Sequence, residues 1–364
     1  MQAVPSQAPK MGLRAGPLPP IMPAMRPNRL AVAAALVLFV FSAAVTGYWF
    51  WARQALERSI AQWRAEQIER GYAIDYQGPA FGGFPFALSV GFDSPRVVTP
   101  QGLAWQGPPV RGTAKLWDPF TIDLHFPGLH RLTLADGDET PQTDILMETA
   151  DGRVTLQIDG KVESARIDLS GLQARGGRLE SIAVQRLTAR LGPLRPGDAD
   201  SLEELDLVGE ALGVQLPPGR GGLLGDQVGR LSFDSTLVGG IPPGKPEQAL
   251  PAWRDRGGRW RFHRLATIWG PLDLQAQGRL GLDEALRPAG EFEAALKGAG
   301  KIIDRLIAAG EIKPEAALAA RIAVAAMGRP DSVTGETVLS APITLRQGML
   351  YLGPIPLIPI APVL

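Results

Sequence analysis

The chain of 364 residues contains no cysteine, which excludes disulfides, thiolate metal sites, iron-sulfur clusters and cysteine nucleophiles together. Histidine is scarce: His125, His130 and His263 are the only three, and none stands in a motif such as His-Glu-x-x-His. Neither sign of charge is in excess, with 37 basic against 37 acidic residues, so no polycationic surface argues for nucleic acid as a partner. The glycine clusters at 219–222 and 298–300 lack the Lys-Ser/Thr of a phosphate loop and the three-glycine spacing of a dinucleotide loop, and no Gly-x-Ser-x-Gly elbow occurs. Acidic residues are missing altogether before Glu57.

What stands in that acid-free stretch organises the rest. The 22 residues that begin at Leu30 and end at Trp51 carry no charge. A helix rising about 1.5 Å per residue crosses a bilayer core of about 30 Å with roughly 20 such residues. Tyr48, Trp49, Phe50 and Trp51 close the run with side chains suited to the headgroup layer, and Arg26 and Arg29 flank its start. With Lys10 and Arg14 also preceding it, the Lys/Arg bias predicts a cytoplasmic N-terminus and an exported remainder. A cleaved signal peptide would have an apolar core of about 7–15 residues and a small-residue cleavage site. This run is longer and ends in aromatics, so it reads as an uncleaved signal anchor. Residues 1–29, with seven prolines, read as a disordered cytoplasmic tail.

Residues 52–71 keep helical spacing at Leu56, Ile60 and Trp63 and meet a stop at Gly71, which predicts a helical stalk. From Tyr72 the apolar period becomes two, as half-buried strands require: Phe86, Leu88, Val90 and Phe92, then Phe120, Ile122, Leu124 and Phe126. Asp159-Gly160 reads as a two-residue hairpin turn. The switch of apolar positions from Ile182 and Val184 to Leu187, Ala189 and Leu191 predicts a bulge near Gln185 and Arg186. Strands are expected at 205–216, 231–238, 272–282, 291–296, 336–345 and 349–352, with a short helix at 246–256 and a helical hairpin over 301–327. The fold class is therefore mainly β within α+β. An N-terminal transmembrane helix and stalk precede a long curved antiparallel sheet over 72–364, with any subdomain division near 240–258.

No residue is nominated as catalytic, as a cofactor contact or as a metal ligand. His125 and His130 would need a third ligand that the sequence does not supply, and the acidic run 136–139 lacks the rest of a calcium loop. Gly82-Gly83-Phe84-Pro85-Phe86 reads as a structural corner, and Trp117 ahead of Asp118-Pro119 as a buried turn anchor. After a signal anchor and stalk, these motifs, with Phe126-Pro127-Gly128, resemble an uncharacterised family of membrane-anchored Gram-negative envelope proteins known as a domain of unknown function. The likeness runs from about Arg29 to the C-terminus. It implies a single pass through the inner membrane with the bulk of the chain in the periplasm, and supplies no activity. More remotely, residues 272–296 followed by a helix and closing strands look like the C-terminal grammar of AsmA-like proteins, a group associated with outer-membrane biogenesis and lipid movement.

Two functions follow as expectations. The first is a non-enzymatic envelope protein that offers an apolar sheet face to phospholipid or another envelope lipid, since the strong helices are too few to cover so long a sheet. The second is an anchored periplasmic hydrolase or glycan-binding module that uses surface carboxylates. The topology has a direct test: a reporter active only outside the cytoplasm should work when fused after Gly71 and fail when fused before Arg29. The reverse pattern would sink the export argument.

Overall fold

The computed structural model describes residues 29–134, 141–176, 181–195, 202–242, 244, 246–311, 318, 321–322, 324–325, 328–330, 337–353 and 355–363. The proline-rich tail and the acidic run 136–139 lie outside them. The chain divides into two compact units, Met1–Tyr48 and Trp49–Leu364.

The described part of the first unit is helical. It belongs to α1 (Arg29–Glu69), whose large side chains there, such as Phe39 and Phe41, are exposed. This helix is long and apolar enough to cross a membrane. α1 stops where the sequence predicts: Gly71 takes φ +89°, its N–H donates to the Ile68 carbonyl, and the Tyr72 N–H donates to the Gln67 carbonyl. That is the paired bonding of a Schellman cap, which needs a left-handed residue and so favours glycine.

Among the described residues the second unit is built on one sheet of nineteen strands, every pair antiparallel. β1 (Ala73–Gly82) pairs with β2 (Ala87–Val98), whose other edge is shared by β3 (Leu103–Gln106) and β4 (Val110–Lys115). Two tracks then run side by side. β4 pairs with β5 (Asp118–His125) and β5 with β8 (Thr149–Leu156), while β3 pairs with β6 (Gly128–Leu134) and β6 with β7 (Gln142–Met147). Both tracks end on β9 (Val162–Gly176), whose first part pairs with β8 and whose last part pairs with β7.

A simple meander follows through β10 (Ser181–Arg195), β11 (Glu204–Gln215), β12 (Gln227–Val238), β13 (Arg259–Trp269), β14 (Leu272–Leu282) and β15 (Pro288–Lys297). β15 pairs with β17 (Thr337–Arg346), which also pairs with β16 (Gly328–Pro330) and β18 (Met349–Leu352), and β18 pairs with β19 (Ile355–Pro359). α2 (Pro246–Asp255) joins β12 to β13. It is pinned by Trp253, a buried side chain whose Nε1–H donates to the Gly239 carbonyl at 2.7 Å. α3 (Ala299–Ala308) follows β15 and buries Ile303. The second helix expected before residue 327 lies largely outside the described residues, although 318, 321, 322, 324 and 325 are helical.

Two sequence expectations are corrected in detail. The Asp159-Gly160 hairpin exists, but its loop has three residues: the Gln157 N–H donates to the Lys161 carbonyl, and the Gly160 N–H donates back to the Gln157 carbonyl with Gly160 at φ +83°. This is the pattern of a type I turn closed by a left-handed glycine, which takes Ile158 out of the strand and into the loop. Around Gln185 no residue is inserted, because Val184 and Arg186 keep one register with both β9 and β11. The face switch is carried instead by left-handed glycines beside it, Gly171 at φ +60° and Gly213 at φ +59°.

The core is thin for so large a sheet. Among the described residues only fourteen hydrophobic side chains are buried, and the one large cluster is Met147, Ala150 and Leu169 with Phe126, Ile145, Leu172 and Leu187 packed against it. Replacing Leu274 on β14 with Asp should lower the melting temperature clearly, because an unpaired charge entering an apolar layer costs several kcal/mol or forces the carboxyl to neutralise. Gln275→Asp, on the opposite face, should be near neutral. Equal shifts from the two variants would refute the assignment of faces.

Candidate functional site

In an antiparallel pair, residues directly opposite one another project to the same side of the sheet. Following the partners from strand to strand therefore draws each face. One ladder runs Phe81, Val90, Gly112, Leu124, Gly152, Ile167, Ala189, Gly209, Phe233, Leu265, Ala276, Ala294, Ala341, crossing thirteen strands without a polar side chain. Two residues further along, or three on the bulged β13, the pattern repeats: Leu88, Ala114, Ile122, Val154, Ala165, Leu191, Leu207, Ser235, Phe262, Gly278, Phe292 and Ile343. Its one hydroxyl, on Ser235, is buried and donates to the Leu207 carbonyl at 3.0 Å. On the other side of the first ladder lie Ala150, Leu169, Leu187, Ala211, Leu231, Thr267, Leu274, Leu296 and Leu339. These three ladders carry no charge. Most of their side chains are half-buried, and Leu231 is 43% exposed.

The opposite face is a lattice of cross-strand charged and polar pairs. Arg153 meets Asp123 at 2.7 Å, His125 meets Asp151 at 2.8 Å, Arg131 meets Asp144 at 3.1 Å and Arg279 meets Glu291 at 3.3 Å, each pair directly opposite in the sheet. The Asp123 carboxylate, as hydrogen-bond partner and nearby charge, holds the Arg153 guanidinium above its ordinary range. Exposed pairs of this kind contribute little stability each. Their effect is to keep that face wet and the other face dry.

The apolar face resumes beyond a line of left-handed glycines. Beyond it the inward positions change parity on β9, β10, β11 and β12 alike, and Leu172, Val184, Val214 and Val228 form the next ladder. At the line itself the Gln185 side chain occupies the space a Cβ on Gly213 would need, and Glu148 does the same at Gly171. A shallow concavity of about 530 Å³ lies over these residues.

The groups that could do chemistry are engaged structurally. His130 lies in the apolar face and is buried; Trp105 Nε1–H donates to its Nδ1 at 3.3 Å, and its Nε2–H donates to the Phe126 carbonyl at 2.9 Å. An indole only donates and a carbonyl only accepts, so this is the Nε2–H tautomer with no lone pair free for a metal. His125 is on the charged face, so the two histidines do not converge. A bulge in β13 sets His263 beside Thr236, whose hydroxyl donates to Asp206 Oδ1 at 2.8 Å and must then accept from His263 Nε2 at 2.9 Å. A nucleophile would need the reverse direction. No cluster of three His, Cys, Asp or Glu side chains that could hold a metal is present among the described residues. The glycine cluster at 219–222 wraps an internal carboxylate: the Gly219 and Gly221 N–H groups donate to Asp226 at 2.8 Å each and hold its carboxyl below the usual range.

The residues singled out in the sequence are scattered over one end of the sheet and the helix that reaches it. Arg29 and Leu30 start α1, and Tyr48 and Trp51 are exposed on it. Trp49 is buried, its Nε1–H on the Ala87 carbonyl at 2.7 Å and its ring edge-on to Phe84 with centroids 5.6 Å apart. Gly82, Gly83, Phe84, Pro85 and Phe86 form the β1–β2 turn; Gly83 takes φ +90°, and a Cβ there would sit 2.7 Å from the Ala87 carbonyl oxygen. Pro119 is the second residue of β5. Trp117 is 69% exposed, so the buried turn anchor expected there is not what this turn contains: the indole stands at the β4–β5 tip, open to solvent. Gly112, Gly152, Gly209 and Gly278, which the sequence alone does not single out, sit in the apolar ladders. Their period-two spacing from apolar neighbours was the available signal.

A family model described as "Uncharacterized protein conserved in bacteria (DUF2125)" matches residues 49–361, beginning at the residue where the second compact unit begins. No curated protein and no solved structure matches the chain.

The Asp226 loop gives a pH prediction. A carboxyl held below its ordinary value of about 3.9 contributes stability that is present above that value and lost as pH falls through the lower folded value. Asp226→Ala should therefore make the Gly219 and Gly221 amides exchange several-fold faster than in the parent at pH 6. Parent and variant should converge as the pH drops below the depressed value. No difference at pH 6 would show that Asp226 does not hold the loop.

Proposed function

The chain belongs to this DUF2125 family of bacterial proteins, whose description carries no activity, and from that premise we propose a non-enzymatic, single-pass inner-membrane protein whose sheet receives lipid acyl chains on its uncharged face in the periplasm. The observation that carries the reading is the ladder of thirteen strands without a polar side chain, most of it neither buried nor fully exposed. Apolar patches beyond a few hundred Å² are uncommon on soluble proteins and usually mark binding surfaces. Acyl chains fit this one because it is long, unbranched and devoid of groups that would orient a polar substrate. α2 and α3 bury only Ala249, Trp253 and Ile303, and α1 reaches the first member of the ladder, Phe81, through Arg53, which leaves few described helical side chains to cover the rest of the face. The acid-free N-terminal segment with its Lys/Arg flank supports export of everything after Trp51.

Native mass spectrometry of the full-length chain in mild detergent tests this. Phospholipid or another envelope lipid should be retained, and Phe233→Asp with Leu265→Asp, adjacent in the longest ladder, should reduce retention without abolishing folding. Lipid-free parent protein whose stability is unchanged by added phospholipid would remove the acyl-chain reading.

A further inference from the structure

The end of the sheet nearest Trp49 differs from the other end. The register places three hairpin turns side by side there: residues 83–86 between β1 and β2, 116–117 between β4 and β5, and 157–161 between β8 and β9. Each tip projects large apolar side chains. Phe84 is 54% exposed, Phe86 59%, Trp117 69% and Ile158 91%, with Phe120 and Val162 also exposed at the bases of the same turns. A soluble rim would carry such side chains singly, not on every adjacent tip. Trp49, which docks on the first of these turns through Phe84 and the Ala87 carbonyl, is also the third residue from the end of the 22-residue uncharged run. The turn it holds therefore touches the aromatic end of that run, whose Trp and Phe side chains are of the kind that partition to the headgroup layer.

We propose that these three tips insert into the interfacial layer of the same membrane that the helix spans, so that the apolar sheet face opens directly onto the bilayer. A lipid surface suits the rim because its projecting groups are aromatic and aliphatic on short turns, as in interfacial anchors, and its chain continuity with the uncharged run brings that surface within reach. The rim makes the sheet a ramp: an acyl chain leaving the leaflet meets Leu88, Ile122 and Val154 before the longest ladder, without crossing charged side chains. The proposal rests on the membrane-anchor half of the function proposed above and is independent of the acyl-chain half.

The absence of cysteine makes the test clean. Ile158→Cys, or Trp117→Cys, in the full-length chain is labelled with a polarity-sensitive fluorophore and reconstituted into phosphatidylcholine–phosphatidylglycerol vesicles that carry a nitroxide at the headgroup or shallow acyl position. Gln101→Cys, on an exposed turn at the opposite end of β2, is the reference. Shallow nitroxide should quench the tip labels at least about twofold more than the reference label, as side chains in the interfacial belt require. Equal quenching at positions 158, 117 and 101 overturns the rim, and a disulfide formed in the same vesicles between two unlabelled chains of the Ile158→Cys variant assigns the tips to a second copy instead. Loss of the protein from vesicles in an alkaline wash refutes the anchor and the rim together. Quenched tips in protein that carries no lipid by mass spectrometry leave the rim standing and remove the cargo, and the reverse result does the opposite.

Discussion

Strand register is the constraint on which everything else depends. Side chains alternate faces with a period of two, so slipping one strand by one residue would carry a member of a row such as Asp123, Arg153, Arg166 and Arg190 into the apolar layer. The cost of desolvating those charges fixes the pairing of thirteen strands far more firmly than any single contact does. The cross-strand ion pairs support the same register from the wet side, where each is individually weak. Departures from ideal pairing fall where both faces can still be kept: the left-handed glycines beside Gln185 move the apolar parity on four strands at once, and the bulge at His263 adds a residue without exposing Phe262 or Leu265 to the charged side.

Within the apolar layer, small and large residues are matched. Phe233 lies over Gly209, where a Cβ would come within 2.5 Å of the ring, and Phe292 lies over Gly278, where a Cβ would meet the Phe292 Cα at 2.7 Å. An aromatic laid across a strand glycine covers bare backbone and keeps the surface smooth. The surface that results is apolar and shallow. The same economy explains why so few side chains reach full burial: the sheet has one layer, and its apolar side chains have neighbours beside them but little above them.

Much of this was legible in the sequence and some was not. Strong alternation located β14 with both its ends, and the Gly71 stop located the end of α1, because each rests on interactions within a few residues. The Asp-Gly hairpin was legible in place but not in loop length, since turn type depends on how the flanking strands twist. Trp117 was misjudged because burial of a turn residue depends on which distant tip lies beside it, and the register that decides this is non-local. The apolar ladders were legible only as separate alternating segments. That they align into one face follows from pairings between residues as distant in sequence as Ala294 and Ala341, which no local pattern encodes.

The treatment of the edges sharpens what the open face means. An unpaired edge strand is a template for aggregation, and chains usually block it. Here the start of β1 has the outer part of α1 along it: Arg64 donates to the Ile74 carbonyl at 3.1 and 3.2 Å and stacks over Tyr76 at 5.4 Å, while Arg53 stacks over Phe81 at 5.1 Å. At the other end β19 carries Pro356 and Pro359, which have no N–H to offer another strand. Both edges are thus closed to further pairing, one by cations and a helix, the other by proline. A chain that places such devices at its two edges yet leaves its broadest surface free of charge has kept that face apolar against a cost in solubility. Contact with a hydrocarbon phase would remove that cost, and the helix that protects β1 is the one long and apolar enough to cross a membrane.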